Sequence, residues 1–191
     1  AGRAVAMIRR EDVVRAARQW LGTRWHHQAA VRGVGTDCVG LVGGVAVELG
    51  IPGAAEWAAD SALHCYGRDP DPVALVAALE RFMDPVDVAR PGDVLLLRIK
   101  TEPQHFGIVS NDAPLMMLHA YAQARKVVES RVDELWRSRI VGHDEVAAVS
   151  QPQQPRPVRR QHGRREQPGH QHERGGLGRP DATASRFEQQ L

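Results

Sequence analysis

The feature that most restricts the fold of this chain is a change in hydrophobic period at the Arg-Pro-Gly-Asp turn of residues 90–93. Before the turn, apolar residues recur at helical spacing in segments 11–21, 38–49 and 72–83, and a shorter helix is predicted near 56–63. Another short helix is predicted near 133–140, after the strands. After the turn, short apolar runs separated by turn residues predict four strands. These strands cover 94–99, 105–110, 115–121 and 126–130. Helices followed by consecutive strands indicate an α+β domain with an antiparallel sheet.

The middle helix begins with a cysteine. Thr36 or Asp37 can cap its N-terminus, Cys38 opens the apolar run, and a Gly-Ile-Pro sequence stops it. A thiol in the first turn lies near the positive end of the helix dipole, which predicts a lowered pKa and a nucleophilic thiolate. Such a nucleophile needs a base, and His105 and His119 are the candidates downstream.

Two features of this helix have a purely structural interpretation. A free cysteine often serves as a small buried hydrophobe, which we weigh as the alternative for Cys38, and we expect Cys65 to be a packed or surface thiol without a catalytic role. Gly40, Gly43 and Gly44 each cost about 1 kcal/mol of helix propensity relative to alanine. They predict close packing of the helix against a sheet, or close approach of a substrate.

Four motifs, in this order, resemble those of the NlpC-type cell-wall cysteine peptidases. Residues 35–42 (Gly-Thr-Asp-Cys-Val-Gly-Leu-Val) resemble the family's Asp-Cys-Ser-Gly-Leu-Val box, and residues 90–96 resemble its Pro-Gly-Asp-Leu strand start. Residues 104–109 (Gln-His-Phe-Gly-Ile-Val) resemble the strand of the catalytic histidine. His119 stands where the family places its third polar residue. The resemblance covers residues 10–141.

The resemblance implies a reduced papain-like domain in which the nucleophile helix packs on the antiparallel sheet. It implies Cys38 as nucleophile, His105 as general base and His119 as the group that orients His105, with backbone N–H groups at the helix start stabilising the oxyanion. Family members hydrolyse peptide bonds of bacterial peptidoglycan, often between D-Glu and a diamino acid, without a metal or other cofactor. Thiol-dependent amidases and acyltransferases of the same fold use the same pair, so they stay open as alternatives.

A loop before the cysteine indicates where a substrate binds. Residues 25–29 (Trp-His-His-Gln-Ala) are similar to the phage-tail and gene-transfer-agent branch of the family. The resemblance implies that Trp25, His27 and Asp37 contact the peptidoglycan stem peptide. Two departures affect this site. Trp25 stands where the family often has a tyrosine whose hydroxyl lies near the cysteine. In relatives that recognise a free peptide amine, a serine assists the aspartate, and that serine is Val39 here.

The C-terminal part of the chain differs in composition. Residues 151–181 are rich in Gln, Pro, Arg and Gly and nearly lack apolar side chains, which predicts disorder. We therefore expect a peptidase domain over 1–142 and a disordered tail over 143–191. The apolar strand that the family places after Gly142 is missing; a natural tail and a frameshifted reading of the gene would both explain this.

Charge and hydropathy limit the partners. Residues 151–191 carry eight arginines and four acidic residues, whereas residues 1–150 carry 17 basic and 19 acidic residues. The folded part is not basic, which argues against specific nucleic-acid binding. The sequence predicts no membrane span and no signal peptide, and Met7 is a candidate start. We expect synthesis in the cytoplasm and action on the cell wall as part of a virion or phage-like particle, with tail proteins as partners.

Two interpretations from other functional classes compete with the peptidase. In the first, His64, Cys65, His105 and His119 supply ligands to a metal ion, although no recognised metal motif occurs. Loss of activity with chelators but not with thiol alkylators would favour it. In the second, the arginine-rich tail binds DNA in a salt-sensitive manner.

Overall fold

The computed structural model describes residues 7–67 and 69–146. Contacts between α-carbons divide the chain into two units, residues 1–152 and 153–191, and every described residue belongs to the first unit. The tail predicted for 143–191 therefore lies almost entirely outside the described residues, and its disorder stays a prediction.

Helices dominate the first half of the described chain and strands the second, as the change of period predicts. The helices are α1 (Arg10–Arg18), α2 (Cys38–Leu49), α3 (Ala54–Ala59), α4 (Ser61–His64), α5 (Pro72–Phe82) and α6 (Glu134–Arg137). The strands are β1 (Ala30–Val31), β2 (Gly35–Thr36), β3 (Met83–Pro85), β4 (Val94–Arg98), β5 (Pro103–Asp112), β6 (Leu115–Tyr121), β7 (Lys126–Arg131) and β8 (Ile140–Val146). Among the described residues, no helix is both long and apolar enough to cross a membrane.

Helix α2, which begins with Cys38, has the ends that the sequence predicts. The carboxylate of Asp37 accepts a hydrogen bond from the backbone N–H of Gly40, which satisfies one of the free donors of the first turn. At the other end, Gly50 adopts a left-handed conformation with φ of 65°, which glycine tolerates without steric cost. Cys38 is consequently held in the first turn of a well-defined helix.

The strands form a six-stranded antiparallel sheet in the order β3-β8-β4-β5-β6-β7, and β1 and β2 form a separate hairpin. β8 corrects the expectation that no strand follows Gly142, because it continues to Val146 between β3 and β4. Its register places Asp144 opposite Val94 and Gly142 opposite Leu96. Backbone hydrogen bonds hold this strand, so it needs no continuous apolar side chains of its own.

The sheet carries apolar side chains on both faces. One core lies between the sheet and the helices and includes Val42, Val45, Phe106, Ile108 and Leu118. The second lies on the other face beneath α6 and includes Leu95, Leu97, Val109 and Met117. Helix α2 packs on β5 and β6. This confirms the predicted α+β fold with the nucleophile helix against an antiparallel sheet.

The three glycines of α2 allow a loop and two indole rings to pack closely against the helix. A Cβ atom at Gly40 would lie 2.0 Å from the carbonyl oxygen of Ala29, in the loop before the helix. Cβ atoms at Gly43 and Gly44 would lie 2.6 Å and 2.3 Å from the rings of Trp57 and Trp20, respectively. The predicted close packing is present, but its partners are a loop and two indole rings rather than the sheet.

Replacing Gly40 by alanine should lower the melting temperature by about 4–8 °C. The clash with the Ala29 carbonyl costs about 3 kcal/mol, the upper end for overpacking, and better helix propensity offsets only about 1 kcal/mol. The net loss of about 2 kcal/mol corresponds to that shift in a domain of this size. Gly142→Ala is the control, because the nearest atom to its Cβ would lie 3.7 Å away, at an ordinary van der Waals distance. Equal melting temperatures of the two variants, measured by circular dichroism, would contradict the prediction.

Candidate active site

The thiol of Cys38 lies against the first turn of its own helix and the backbone of β5. It is only 5 % exposed. The backbone N–H groups of Phe106, Val39 and Cys38 lie near the sulfur and favour its ionised form. Phe106 follows His105 directly on β5, so the structure brings the predicted nucleophile to the strand that carries the predicted base.

The predicted base and the predicted orienting residue are in direct contact. Nε2 of His105 lies 2.9 Å from Nδ1 of His119 on the neighbouring strand β6. Nε2 of His119 lies in turn 3.0 Å from the hydroxyl oxygen of Ser130 on β7. Three adjacent strands thus supply a continuous row of hydrogen-bonding side chains.

The row has one proton arrangement that suits a general base. When Nε2–H of His105 donates to His119 and Nε2–H of His119 donates to Ser130, both rings are neutral. Nδ1 of His105 then keeps a lone pair and can accept a proton. The reverse arrangement would place a hydrogen on that atom, so it would not serve as a base.

Burial among aromatic side chains keeps both histidines neutral. The ring of Trp136 in α6 contacts His105 at 6.3 Å and His119 at 5.1 Å between centroids, and Tyr121 stacks on His119 at 5.1 Å. Burial, with a smaller contribution from the neighbouring His119, lowers the pKa of His105 to about 3. Burial lowers the pKa of His119 to about 4. At neutral pH, well above both pKa values, neither ring carries a positive charge.

The predicted lowering of the Cys38 pKa is wrong for the free protein. Burial and then the negative charge of Asp37 raise the pKa of this thiol to about 12, and the three backbone N–H groups offset this only in part. The free-energy cost of removing a thiolate from water therefore exceeds the stabilisation that the start of the helix provides. The resting state of the pair is a neutral thiol with a neutral imidazole.

The rate at which iodoacetamide alkylates Cys38 should therefore rise about tenfold per pH unit between roughly pH 6 and 9. Only the thiolate reacts, and its fraction grows with pH as long as the pH lies below the pKa of the thiol. The chain has two cysteines, so the measurement uses Cys65→Ser, in which Cys38 is the only thiol. A rate that is already constant below pH 7 would indicate a thiolate–imidazolium pair and contradict this result.

The predicted substrate-binding residues form a row beside the N-terminus of α2. The rings of Trp25 and His27 stack with centroids 6.3 Å apart, and His27 meets the edge of Tyr66 at 5.0 Å. The hydroxyl of Tyr66 donates to the carboxylate of Asp37, which is itself 3 % exposed. Trp25 and His27 are partly exposed, whereas Asp37 is buried.

Sequence reasoning missed three contributors to the site: Tyr66, Ser130 and Trp136. Each lies outside the recognised motifs and reaches the site only through tertiary contacts, so no local pattern marks it. The metal-binding alternative receives no support from the described residues, where no group of three or more His, Cys, Asp or Glu side chains is placed to hold a metal ion. His64 instead contacts the backbone carbonyl of Trp57 through Nε2.

Solved structures with the same arrangement of elements are described as NlpC/P60 proteins. One from Bacillus cereus superposes with a TM-score of 0.53 at 17 % identity, over 74 % of this chain and 41 % of that one. A protein from Staphylococcus aureus described as similar to a lipoprotein has a TM-score of 0.50 at 14 % identity, and the match covers 76 % of this chain and 45 % of that one. NlpC2 from Trichomonas vaginalis has a TM-score of 0.50 at 15 % identity, and the match covers 76 % of this chain and 50 % of that one. The chain has the NlpC/P60 fold.

This NlpC/P60 fold confirms the papain-like α+β prediction. The match spans half or less of the length of each of those three proteins. No protein-family model and no curated protein matches the sequence.

Proposed function

We propose that this chain is a cysteine hydrolase that cleaves amide bonds of bacterial peptidoglycan, acting as an endopeptidase on the stem peptide. The observation that supports this most is the hydrogen-bonded pair of His105 and His119 on strands beside the Cys38 thiol. The pair supplies a base and a group that fixes its tautomer, next to a nucleophile at a helix start. The NlpC/P60 fold is consistent with this activity.

In the proposed reaction, Nδ1 of His105 takes the thiol proton as the sulfur of Cys38 attacks the carbonyl carbon. Backbone N–H groups at the start of α2 stabilise the negative charge that develops on the carbonyl oxygen. The protonated His105 then gives its proton to the leaving amine, and the acyl group stays on sulfur. Water, deprotonated by His105, releases the acid and restores the thiol.

The neutral resting state has a consequence for this mechanism. With the pKa of Cys38 at about 12 and that of His105 at about 3, a preformed ion pair does not accumulate in the free protein. Proton transfer therefore accompanies the attack on a bound substrate. The partly exposed rings of Trp25 and His27 provide the surface along which the stem peptide lies.

Digestion of purified peptidoglycan, followed by mass spectrometry of the products, tests the proposal. We expect new free amines and carboxylates at one stem-peptide bond and no products with Cys38→Ala. The products also distinguish the related thiol chemistries: cleavage between the glycan and the stem peptide would indicate an amidase, and an acyl group joined to another amine instead of water would indicate an acyltransferase. Cleavage that persists in Cys38→Ala would contradict the proposal.

We further propose that the protein acts as a component of a virion or phage-like particle. The support is the similarity of residues 25–29 to the phage-tail and gene-transfer-agent branch, and the substrate lies outside the cytoplasm. Mass spectrometry of purified particles from the producing cells should detect the chain together with tail proteins. Its presence only among free cytoplasmic proteins would contradict this assignment.

A further inference from the structure

The indole of Trp136 lies against both histidines of the candidate site. Its ring centroid is 6.3 Å from that of His105 and 5.1 Å from that of His119, whose ring it meets nearly at a right angle. It also meets the edge of Tyr121 at 5.5 Å, and Tyr121 stacks on His119. One side chain thus contacts the proposed base, the orienting residue and the second aromatic ring beside them.

Trp136 lies between the two imidazoles and the solvent. His105 is 6 % exposed and His119 is 0 % exposed, whereas Trp136 is half-buried. Helix α6 has four residues, and none of them is buried. Its other large apolar side chain, Leu135, is 58 % exposed. The cover that α6 gives to the histidines therefore consists mainly of the indole.

The fold holds this indole in place from both ends of α6. At the start, the carboxylate of Asp133 accepts the backbone N–H of Trp136 at 3.0 Å. After the helix, the carbonyl oxygen of Arg139 accepts the backbone N–H of Arg98 at 2.8 Å, and the Arg139 guanidinium lies 5.3 Å from the indole centroid. Arg98 ends β4, the strand that pairs with β5 of His105. The same strand therefore fixes both the base and the helix that covers it.

No described carboxylate balances a positive charge on either imidazole. Burial lowers the pKa of both rings, and the charge effect on His105 comes from His119, which lowers it further. The carboxylates on the neighbouring elements bind other groups or are exposed: Asp37 caps α2, Asp133 caps α6, Glu129 pairs with Arg18, and Asp112 and Glu134 lie at the surface. The other titratable or charged side chains there, none of which favours an imidazolium, include the thiol of Cys38, the phenol of Tyr121 and the cations Arg98, Lys126 and Arg139.

Exclusion of water therefore keeps the pair uncharged. An imidazolium is stabilised by water or by a neighbouring anion, and the described surroundings of the pair offer neither. An ordinary imidazole takes up a proton near about pH 6.5, and the protonated ring has no lone pair with which to act as a base. A pair that is kept from water remains able to accept the thiol proton well below that pH.

We propose that Trp136 is a positioning residue whose indole keeps water from the His105–His119 pair, so that His105 remains a competent base in mildly acid solution. This rests on the function proposed above and adds its pH range. Trp136 acts through the two rings and not on the reacting atoms. A role in packing alone would change the stability of the fold and leave unchanged the pH at which the pair becomes charged.

NMR titration of the imidazoles tests this cover without a substrate. The chain has nine histidines, so the signals of the pair are assigned as those that disappear in His105→Ala and in His119→Ala. In the wild-type protein, both midpoints should lie below about pH 5. In Trp136→Leu, which replaces the indole by a smaller apolar side chain, both should rise by about two pH units toward the ordinary value of about 6.5. Leu135→Ala, a change at the exposed neighbour in α6, should leave them unchanged.

The ratio of kcat/KM at about pH 5 to that at about pH 7 gives the second readout. Relative to wild type, this ratio should fall about three- to tenfold in Trp136→Leu, because much of its His105 is then protonated at the lower pH. It should equal the wild-type ratio in Leu135→Ala. Circular dichroism at both pH values shows that each variant stays folded.

Two results would overturn the inference and leave the proposed hydrolase intact: wild-type midpoints near about pH 6.5, or equal midpoints in wild type and Trp136→Leu. If Trp136→Leu does not fold, Trp136→Phe replaces it. Its smaller ring covers the pair only in part, so the midpoints should rise by about half a pH unit or more, and unchanged midpoints would again contradict the inference. Absence of peptidoglycan cleavage by a wild-type protein whose imidazoles titrate as expected would contradict the proposed function and not the cover.

Discussion

Replacement of Cys38 by alanine should reduce kcat/KM on peptidoglycan by about 10⁴-fold or more and leave the fold intact. Loss of a nucleophile removes the covalent route altogether, and the remaining groups cannot compensate for it. The thiol is small and 5 % exposed, so its truncation should cost about 1 kcal/mol of unfolding free energy. Turnover is measured by release of free amines, and stability by thermal unfolding.

Cys65→Ser is the matched control for this experiment. Cys65 is the other free cysteine and is exposed, and none of the site contacts described above involves its thiol. It should keep most of the activity and react with alkylating agents independently of the active site. A Cys38→Ala protein that retains more than about one-hundredth of wild-type activity would show that the thiol is not the nucleophile.

Elements whose burial follows a regular period were predictable from the sequence. Helix α2 has an aspartate cap and a glycine stop, and β4 to β6 are short apolar runs between turn residues, so local patterns identify them. Strand β8 was not predictable in this way. It includes His143 and Asp144, and its place between β3 and β4 is decided by backbone pairing with distant segments.

The residues of the candidate site also fall into two groups, those that a local motif identifies and those that only tertiary contacts bring to the site. Cys38, His105 and His119 stand in recognisable local motifs, and the contact between the two histidines follows from adjacent strands. Tyr66 and Ser130 reach the site from positions that no motif marks. The pKa of the thiol was mispredicted for a related reason: position in a helix is a local property, whereas burial depends on the whole fold.

The two histidines should differ sharply when each is replaced by alanine. His105→Ala removes the group that takes and returns the proton, so kcat should fall by about 10⁴-fold or more. His119→Ala leaves that base in place and removes only its hydrogen-bonding partner at 2.9 Å, so the loss should be about 100-fold smaller. Ser130→Ala, one step further along the row, should cost only a few-fold, because His119 loses one partner for Nε2 but keeps its contact with His105.

A conservative variant distinguishes two roles of His119, orienting the base His105 and only packing in the core. In His119→Asn the side-chain oxygen can still accept the Nε2–H of His105, so this variant should recover about tenfold or more of the activity lost in His119→Ala. Nitrogen-15 NMR of the imidazoles gives the second readout: His105 should keep its proton on Nε2 in the asparagine variant and show a mixture of tautomers in the alanine variant. If the two variants have equal activity and equal tautomer populations, His119 supports the core beside Trp136 and does not orient the base.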